Sequence, residues 1–348
     1  MANDNGVNWE HARLAQLYVG AISGDGFFKN DQLATIDEKL SEVLCMFFLK
    51  PFKLQNFYTF SHELDVEYNG AFASCRKVFE AADEGTLLEE AQNLLKLLYA
   101  VSENENIKEG EFYVASFDSI ALKEGDVNAL GIFKSEDRDP FIRIYQEENS
   151  LGVSSDEGIS LHNVNKGALI LNDPEQKTYS VLIFDKSNKI TPARFWIDQF
   201  LNLAPIEDEF YQTKNFMHLC KDFVLKDRNE LDRADQVDLL NRSVDYFKDR
   251  EQFNQEEFEE EVLQEPDTKQ AFLDFQETYK EENQLENLQP EFEISKPAYK
   301  AAKRHIRSVI KLDKNFHVYV HGKRELIERG FDDMRGQNYY KLFFDSES

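Results

Sequence analysis

The stretch Phe112-Tyr-Val-Ala-Ser-Phe-Asp-Ser-Ile-Ala-Leu122, followed shortly by Val127-Asn-Ala-Leu-Gly-Ile-Phe133, decides the fold. After Gly110 the pattern is that of strands, with aromatic and β-branched residues close together. Phe141–Tyr145, Gly167–Leu171 and Tyr179–Phe184 continue it, the last two separated by the turn signal Asn172-Asp173-Pro174. Strands that follow one another across short turns predict an antiparallel meander. Working outward toward the N-terminus, Leu14–Ile22 is apolar and tolerant of β-structure, and Ser23-Gly24-Asp25-Gly26 reads as a turn. Ile36, Leu40, Val43, Leu44 and Phe47 lie close to helical spacing. Thr86-Leu87-Leu88-Glu89 has the spacing of a capping box, and Leu87, Leu88, Ala91, Leu94, Leu95 and Leu98 then share one helical face. Residues 1–190 are therefore expected to form an α+β domain.

Toward the C-terminus the period changes to helical. Thr191-Pro192 reads as an N-cap with proline at the first helical position, leading into a stripe of Trp196, Phe200 and Leu203. Phe210, Met217 and Val224 make a second stripe, and Val237, Leu240, Val244 and Phe247 a third. Asn254–Glu257 reads as another cap, stapled by Phe253 and Phe258, and Asp267 as the cap of a helix carrying Phe272, Phe275 and Tyr279. Pro290 and Pro297 bracket a boundary. A short helix over Ala298–His305 follows, then strands at Arg307–Leu312 and Phe316–His321, and a closing strand at Asn338–Phe344. The expectation for 191–348 is a helical domain closed by a small antiparallel sheet, with 295–348 as a basic β segment. The fold class as a whole is α+β.

The chain has 348 residues, 29 Phe and 14 Tyr, which excludes wholesale disorder. Its net charge of −26 is unevenly placed. Residues 205–293 hold 10 basic and 26 acidic side chains, net −16, whereas residues 295–341 hold 12 and 5, net +7. Within the basic segment Lys296, Lys300, Lys303, Arg304 and Arg307 recur at three- and four-residue spacing, which puts them on one side of a helix. Such a row can follow a phosphate backbone. The competing reading is that the segment balances the protein's own acidic helices. Three cysteines far apart, Cys45, Cys75 and Cys220, form neither a disulfide framework nor a zinc spacing and fit a reducing cytosol. The longest apolar run, Val43–Leu49, is too short for a bilayer span, and Met1–Gly20 has no signal-peptide pattern.

Motifs for chemistry are weak. His317, Tyr319 and His321 point to one face of a strand, where two imidazoles four residues apart cannot share a metal. Asp156 with Glu175-Gln176-Lys177 has the loose look of a metal-dependent nuclease pattern. No phosphate loop or nucleophile elbow is present. His218 and Cys220 read as helix surface and helix core, and Trp196 and Phe200 as packing.

Three stretches carry a resemblance. Ser308-Val-Ile-Lys-Leu-Asp-Lys-Asn-Phe-His-Val-Tyr-Val-His-Gly322, Arg324-Glu-Leu-Ile-Glu-Arg-Gly-Phe-Asp332 and Tyr339-Tyr-Lys-Leu-Phe-Phe344 form the first. Glu111-Phe-Tyr-Val-Ala-Ser-Phe117 with Ala129-Leu-Gly-Ile-Phe-Lys-Ser135 form the second. Ala193-Arg-Phe-Trp-Ile-Asp-Gln-Phe-Leu201 with Gln212-Thr-Lys-Asn-Phe-Met-His-Leu-Cys-Lys221 form the third. In order and spacing the chain resembles the bacterial 37-kDa nucleoid-associated proteins, the NdpA family. The resemblance implies a cytoplasmic, nucleoid-located, non-enzymatic protein with no cofactor, associated with DNA directly or through a DNA-bound protein such as a topoisomerase. A homodimer is compatible with it. From the residues themselves, Lys296, Lys300, Lys303, Arg304, Arg307, Lys311, Lys323 and Arg324 are expected to contact DNA phosphates without reading bases. The alternative is an adaptor whose acidic face, Glu251–Glu265 with Glu259, Glu260, Glu261 and Glu265 in a row, docks a basic protein.

Overall fold

The computed structural model describes residues 8–24, 26–52, 56–105, 108–122, 125–161, 164–174, 177–186, 195–226, 233–283, 285, 287–306, 309–320 and 324–346. The chain forms two compact units, Met1–Ile206 and Glu207–Ser348.

The first unit runs β1 (Arg13–Ser23), β2 (Gly26–Phe28), α1 (Glu38–Leu49), β3 (Tyr58–Phe60), a 3-10 turn, α2 (Gly70–Ala81), α3 (Glu84–Glu105), β4 (Gly110–Leu122) and β5 (Gly125–Ser135). It continues with β6 (Asp139–Glu147), β7 (Ser150–Gly158), β8 (Lys166–Leu171), β9 (Ser180–Asp185), a π-helical turn (Phe195–Leu201) and β10 (Leu203–Pro205). Eight strands make one antiparallel sheet in the order β10-β3-β9-β8-β5-β4-β1-β2. The meander read from the sequence is its centre.

Both faces of that sheet are covered. Along β4, Phe112 and Val114 turn toward α2, α3 and the Trp196 turn, while Tyr113, Ala115 and Phe117 turn toward α1. Two-sided burial explains why β8 is buried at all six positions and reads as a continuous apolar run rather than an alternating one. One irregularity keeps the faces in order. The β4–β5 register shifts between Phe117 and Ile120, with Ser119 at φ 60°. The bulge lets Phe117 and Ile120, three residues apart, point to the same side.

Some local expectations shift. Asp83, not Thr86, caps α3: its carboxylate accepts from the Thr86 amide at 2.9 Å and from the Thr86 hydroxyl at 2.8 Å. Asp83 precedes the first helical residue, where a side-chain acceptor meets unpaired amides. Trp196 and Phe200 are core, but of the first unit, which extends to Ile206 rather than to 190. Thr191-Pro192 lies outside the described residues. Phe141–Tyr145 is a strand, yet β6 pairs only with β7 in a separate ribbon exposed along nearly its whole length. Its partner Ser150–Gly158 was not legible because it carries so few apolar side chains.

The second unit runs α4 (Glu209–Lys226), α5 (Arg233–Asp249), β11 (Gln252–Asn254), α6 (Gln255–Phe258), a π-helical turn (Glu259–Leu263), α7 (Pro266–Asn283) and β12 (Glu291–Glu293). Then come α8 (Lys296–Lys303), β13 (Val309–Leu312), β14 (Phe316–Tyr319), a 3-10 turn (Arg324–Leu326), β15 (Ile327–Asp332) and β16 (Gln337–Leu342). Its core is aromatic. Phe216 sits 4.1 Å from Phe253 and 5.6 Å from Phe258, centroid to centroid, and Phe253 stacks on Phe292 at 4.7 Å. Asn254 caps α6 through the Glu257 amide at 3.1 Å, and Phe253 and Phe258 lie 5.7 Å apart as the expected staple. α7 begins at Pro266, so Asp267 stands in its first turn instead of capping it. The closing sheet is two separate ribbons, β13·β14 and β15·β16. Ile310, Val320 and Ile327 join Ala234 and Val237 of α5 in a small cluster.

Candidate nucleic-acid interface

α8 forms because Ser295 accepts from the Ala298 amide at 3.4 Å, and because Pro297 in the first turn has no intrahelical bond to lose. It is seated on α4 by the Ser295 amide, which donates to Thr213 Oγ1 at 2.9 Å. Ala298, Tyr299 and Ala302 are buried. The opposite face is exposed and basic: Lys296, Lys300 and Lys303, with Arg304 at the C-cap. The i, i+4, i+7 spacing places the three lysines in one row.

The row is not uniform. The Lys296 ammonium donates to the Lys248 carbonyl at 3.0 Å and to the Arg250 carbonyl, so it closes the C-terminal end of α5. Lys303 reaches back over the Tyr299 ring, 5.5 Å from its centroid. Lys311 stands exposed on β13 opposite His317 of β14. Arg307 and Lys323 lie outside the described residues, as does the side chain of Arg324, whose backbone opens a 3-10 turn. The structure thus brings Lys296, Lys300, Lys303 and Arg304 together on one helix and puts Lys311 on the following ribbon.

The acidic face is ordered too. Arg250 holds Glu261 at 2.5 and 2.6 Å and Glu257 at 2.9 Å, with its guanidinium 4.5 Å from the Tyr246 ring centroid. The Glu261 hydrogen bond raises the Arg250 pKa. Glu256, Glu260 and Glu265 are exposed beside them.

The weak chemical motifs of the sequence can be followed among the described residues. No cluster of three His, Cys, Asp or Glu side chains there could hold a metal ion. Asp156 faces Arg143 at 3.4 Å, while Glu175 and Gln176 lie outside the described residues. Burial pushes the Cys75 and Cys220 thiols up, which makes them inert. His317 and Tyr319 are exposed, and His321 is outside the described residues. Among the described residues no helix is long and apolar enough to cross a membrane.

The family model described as nucleoid-associated protein YejK matches residues 24–338. The chain belongs to that family. The YejK-family match runs through both units and takes in α8, β13, β14 and β15 entirely. It agrees with the family indicated by the resemblance, and nucleoid association is what membership carries. No curated protein and no solved structure matches the chain.

Proposed function

We propose that this protein binds DNA directly, through phosphate contacts made by α8 and the ribbon that follows it, without reading base sequence. The observation that carries the reading is the exposed row Lys300, Lys303 and Arg304 in a protein of net charge −26. An acidic surface repels DNA at long range, so contact is confined to the segment where the local charge is positive. The eight residues Lys296, Lys300, Lys303, Arg304, Arg307, Lys311, Lys323 and Arg324 are the proposed set, with Lys296 the least available because its ammonium is already engaged. Lysine and arginine on phosphates position a duplex and specify no bases.

The test is a titration of the purified protein with a labelled duplex at two salt concentrations, repeated with Lys300, Lys303 and Arg304 changed to Gln. Binding that weakens steeply with salt, and a log–log slope about 2–3 units shallower in the variant, supports the reading. Unchanged affinity and slope would remove these residues from the site.

A second reading rests on the Arg250-anchored carboxylates. There the acidic face docks a basic, DNA-bound protein such as a topoisomerase, and DNA contact is indirect. Capture of nucleoid proteins that survives complete nuclease digestion, and is lost with Glu257 and Glu261 changed to Gln, favours it.

A further inference from the structure

We propose that a DNA phosphodiester backbone is contacted by two basic rows, Lys214–His218–Lys221 on α4 and Lys300–Lys303–Arg304 on α8. The inference rests on the DNA-binding reading above and adds to it a second, half-buried row.

α4 is the central helix of the second unit. From Phe210 to Val224 none of its residues is exposed, and only Lys214, Asn215, His218, Lys221 and Asp222 are half-buried. Lys214, His218 and Lys221 recur at i, i+4 and i+7, so they line the one stripe by which this helix reaches solvent. Residues 205–293 carry net −16, yet this stripe is mainly basic.

Its two lysines lack side-chain partners. Among the described residues neither Lys214 nor Lys221 has an ion pair or a hydrogen bond. Burial alone holds the Lys214 ammonium below its ordinary pKa. The Asn215 Nδ2 donor, next in the chain, is buried with no acceptor. Buried donors and charges left unpaired cost stability, and a bound anion is what satisfies them.

The second row lies alongside. The Ser295 amide ties the start of α8 to Thr213, and at its other end His305 is close enough to His218 to act on it. His218 is held at a pKa of about 4, first by burial and then by Lys214, Lys221 and His305; Asp222 is the one carboxylate opposing them. Asp222 also acts on Tyr279 of α7. The two α4 lysines, joined by His305 just past α8, therefore act on one imidazole. The ligand that fits is a line of phosphates. Lys214 and Lys221 meet non-bridging oxygens where α4 reaches solvent, Lys300, Lys303 and Arg304 meet further phosphates on the exposed face of α8, and His218 takes up a proton as the phosphate charge arrives.

The experiment uses the full chain, a labelled duplex and three variants: Lys221→Gln, Lys214→Gln/Lys221→Gln, and the charge-keeping Lys214→Arg/Lys221→Arg. The expected result is a loss of about tenfold or more in affinity for the double Gln variant. Its salt slope falls by about 2 units. Lys221→Gln should lose about half of that slope, and the Arg variant should bind like the parent. In parallel, the His218 imidazole followed by NMR should titrate at a higher pH when the duplex is present. If the Gln variants bind like the parent while the α8 variant does not, the second row is overturned and direct DNA binding stands. If the Arg variant fails as badly as the Gln variant, charge is not the cause and the inference is overturned. If the parent itself does not bind duplex at low salt, the DNA-binding reading falls, and this inference with it.

Discussion

At one end of the first unit's sheet, Lys134 and Lys166 face each other across β5 and β8, almost wholly out of solvent. Lys134 meets Glu136 at 2.8 Å and the Lys108 carbonyl; Lys166 meets both Asp185 oxygens at 3.3 Å and lies 5.4 Å from the Phe195 ring centroid. On α8 the lysines 300 and 303 stand a turn apart in solvent. One pair is consumed by internal carboxylates, whereas the other stands on an exposed helix face. Counting charges along the chain cannot tell the two apart. At the strand end lysine is an architectural residue that permits buried carboxylates, and on the outer face of α8 it is a surface one.

The largest effect should come from breaking the buried arrangement. Glu136→Gln leaves the Lys134 ammonium buried without its counter-charge and should cost about 3–5 kcal/mol in chemical denaturation. Replacing both, Lys134→Met with Glu136→Leu, should return most of that loss. A single variant as stable as the parent would mean that solvent reaches this strand end and the contrast is false.

Next in size is His218. Its folded pKa of about 4 lies below the ordinary 6.5. Between those values the unfolded chain takes a proton that the folded chain refuses. Stability is then full above pH 6.5 and falls as pH drops toward 4, by up to about 3 kcal/mol. His218→Gln should flatten that part of the pH–stability curve.

Lys296 sharpens the comparison within α8 itself. Lys296→Met removes a cation from the C-terminal end of α5 and should cost about 0.5–1 kcal/mol of stability while changing duplex affinity less than Lys303→Met does. The smallest effect belongs to the exposed lysines. Changing Lys300 and Lys303 to Gln should alter stability by less than about 0.5 kcal/mol, whatever it does to binding. A large loss of stability there would make the row structural.

Much of this was legible in advance. The strands from Phe112 to Phe184 are legible by composition, and α4 and α5 by the period of Phe210, Val237 and their neighbours, because two-sided burial and helical stripes leave strong apolar signatures. The basic row of α8 was legible for the same reason of spacing. Lys214–His218–Lys221 has an equally regular spacing, yet it is interleaved with Phe216, Met217 and Cys220 and reads as the polar margin of a core helix. β7 and β15, with few buried side chains, give little signal, whereas β13, β14 and β16 are readable as strands.

What the amino-acid sequence determines by itself is the succession of strands and helices, the polarised charge and the family, since each is carried by local pattern along the chain. Which lysines face water and which face a carboxylate was decided only by tertiary structure. The desolvation that separates Lys134 from Lys303 comes largely from chain distant in sequence: Lys134 lies buried opposite Lys166 of β8 and against the Lys108 carbonyl, whereas Lys303 stands exposed on the outer face of α8.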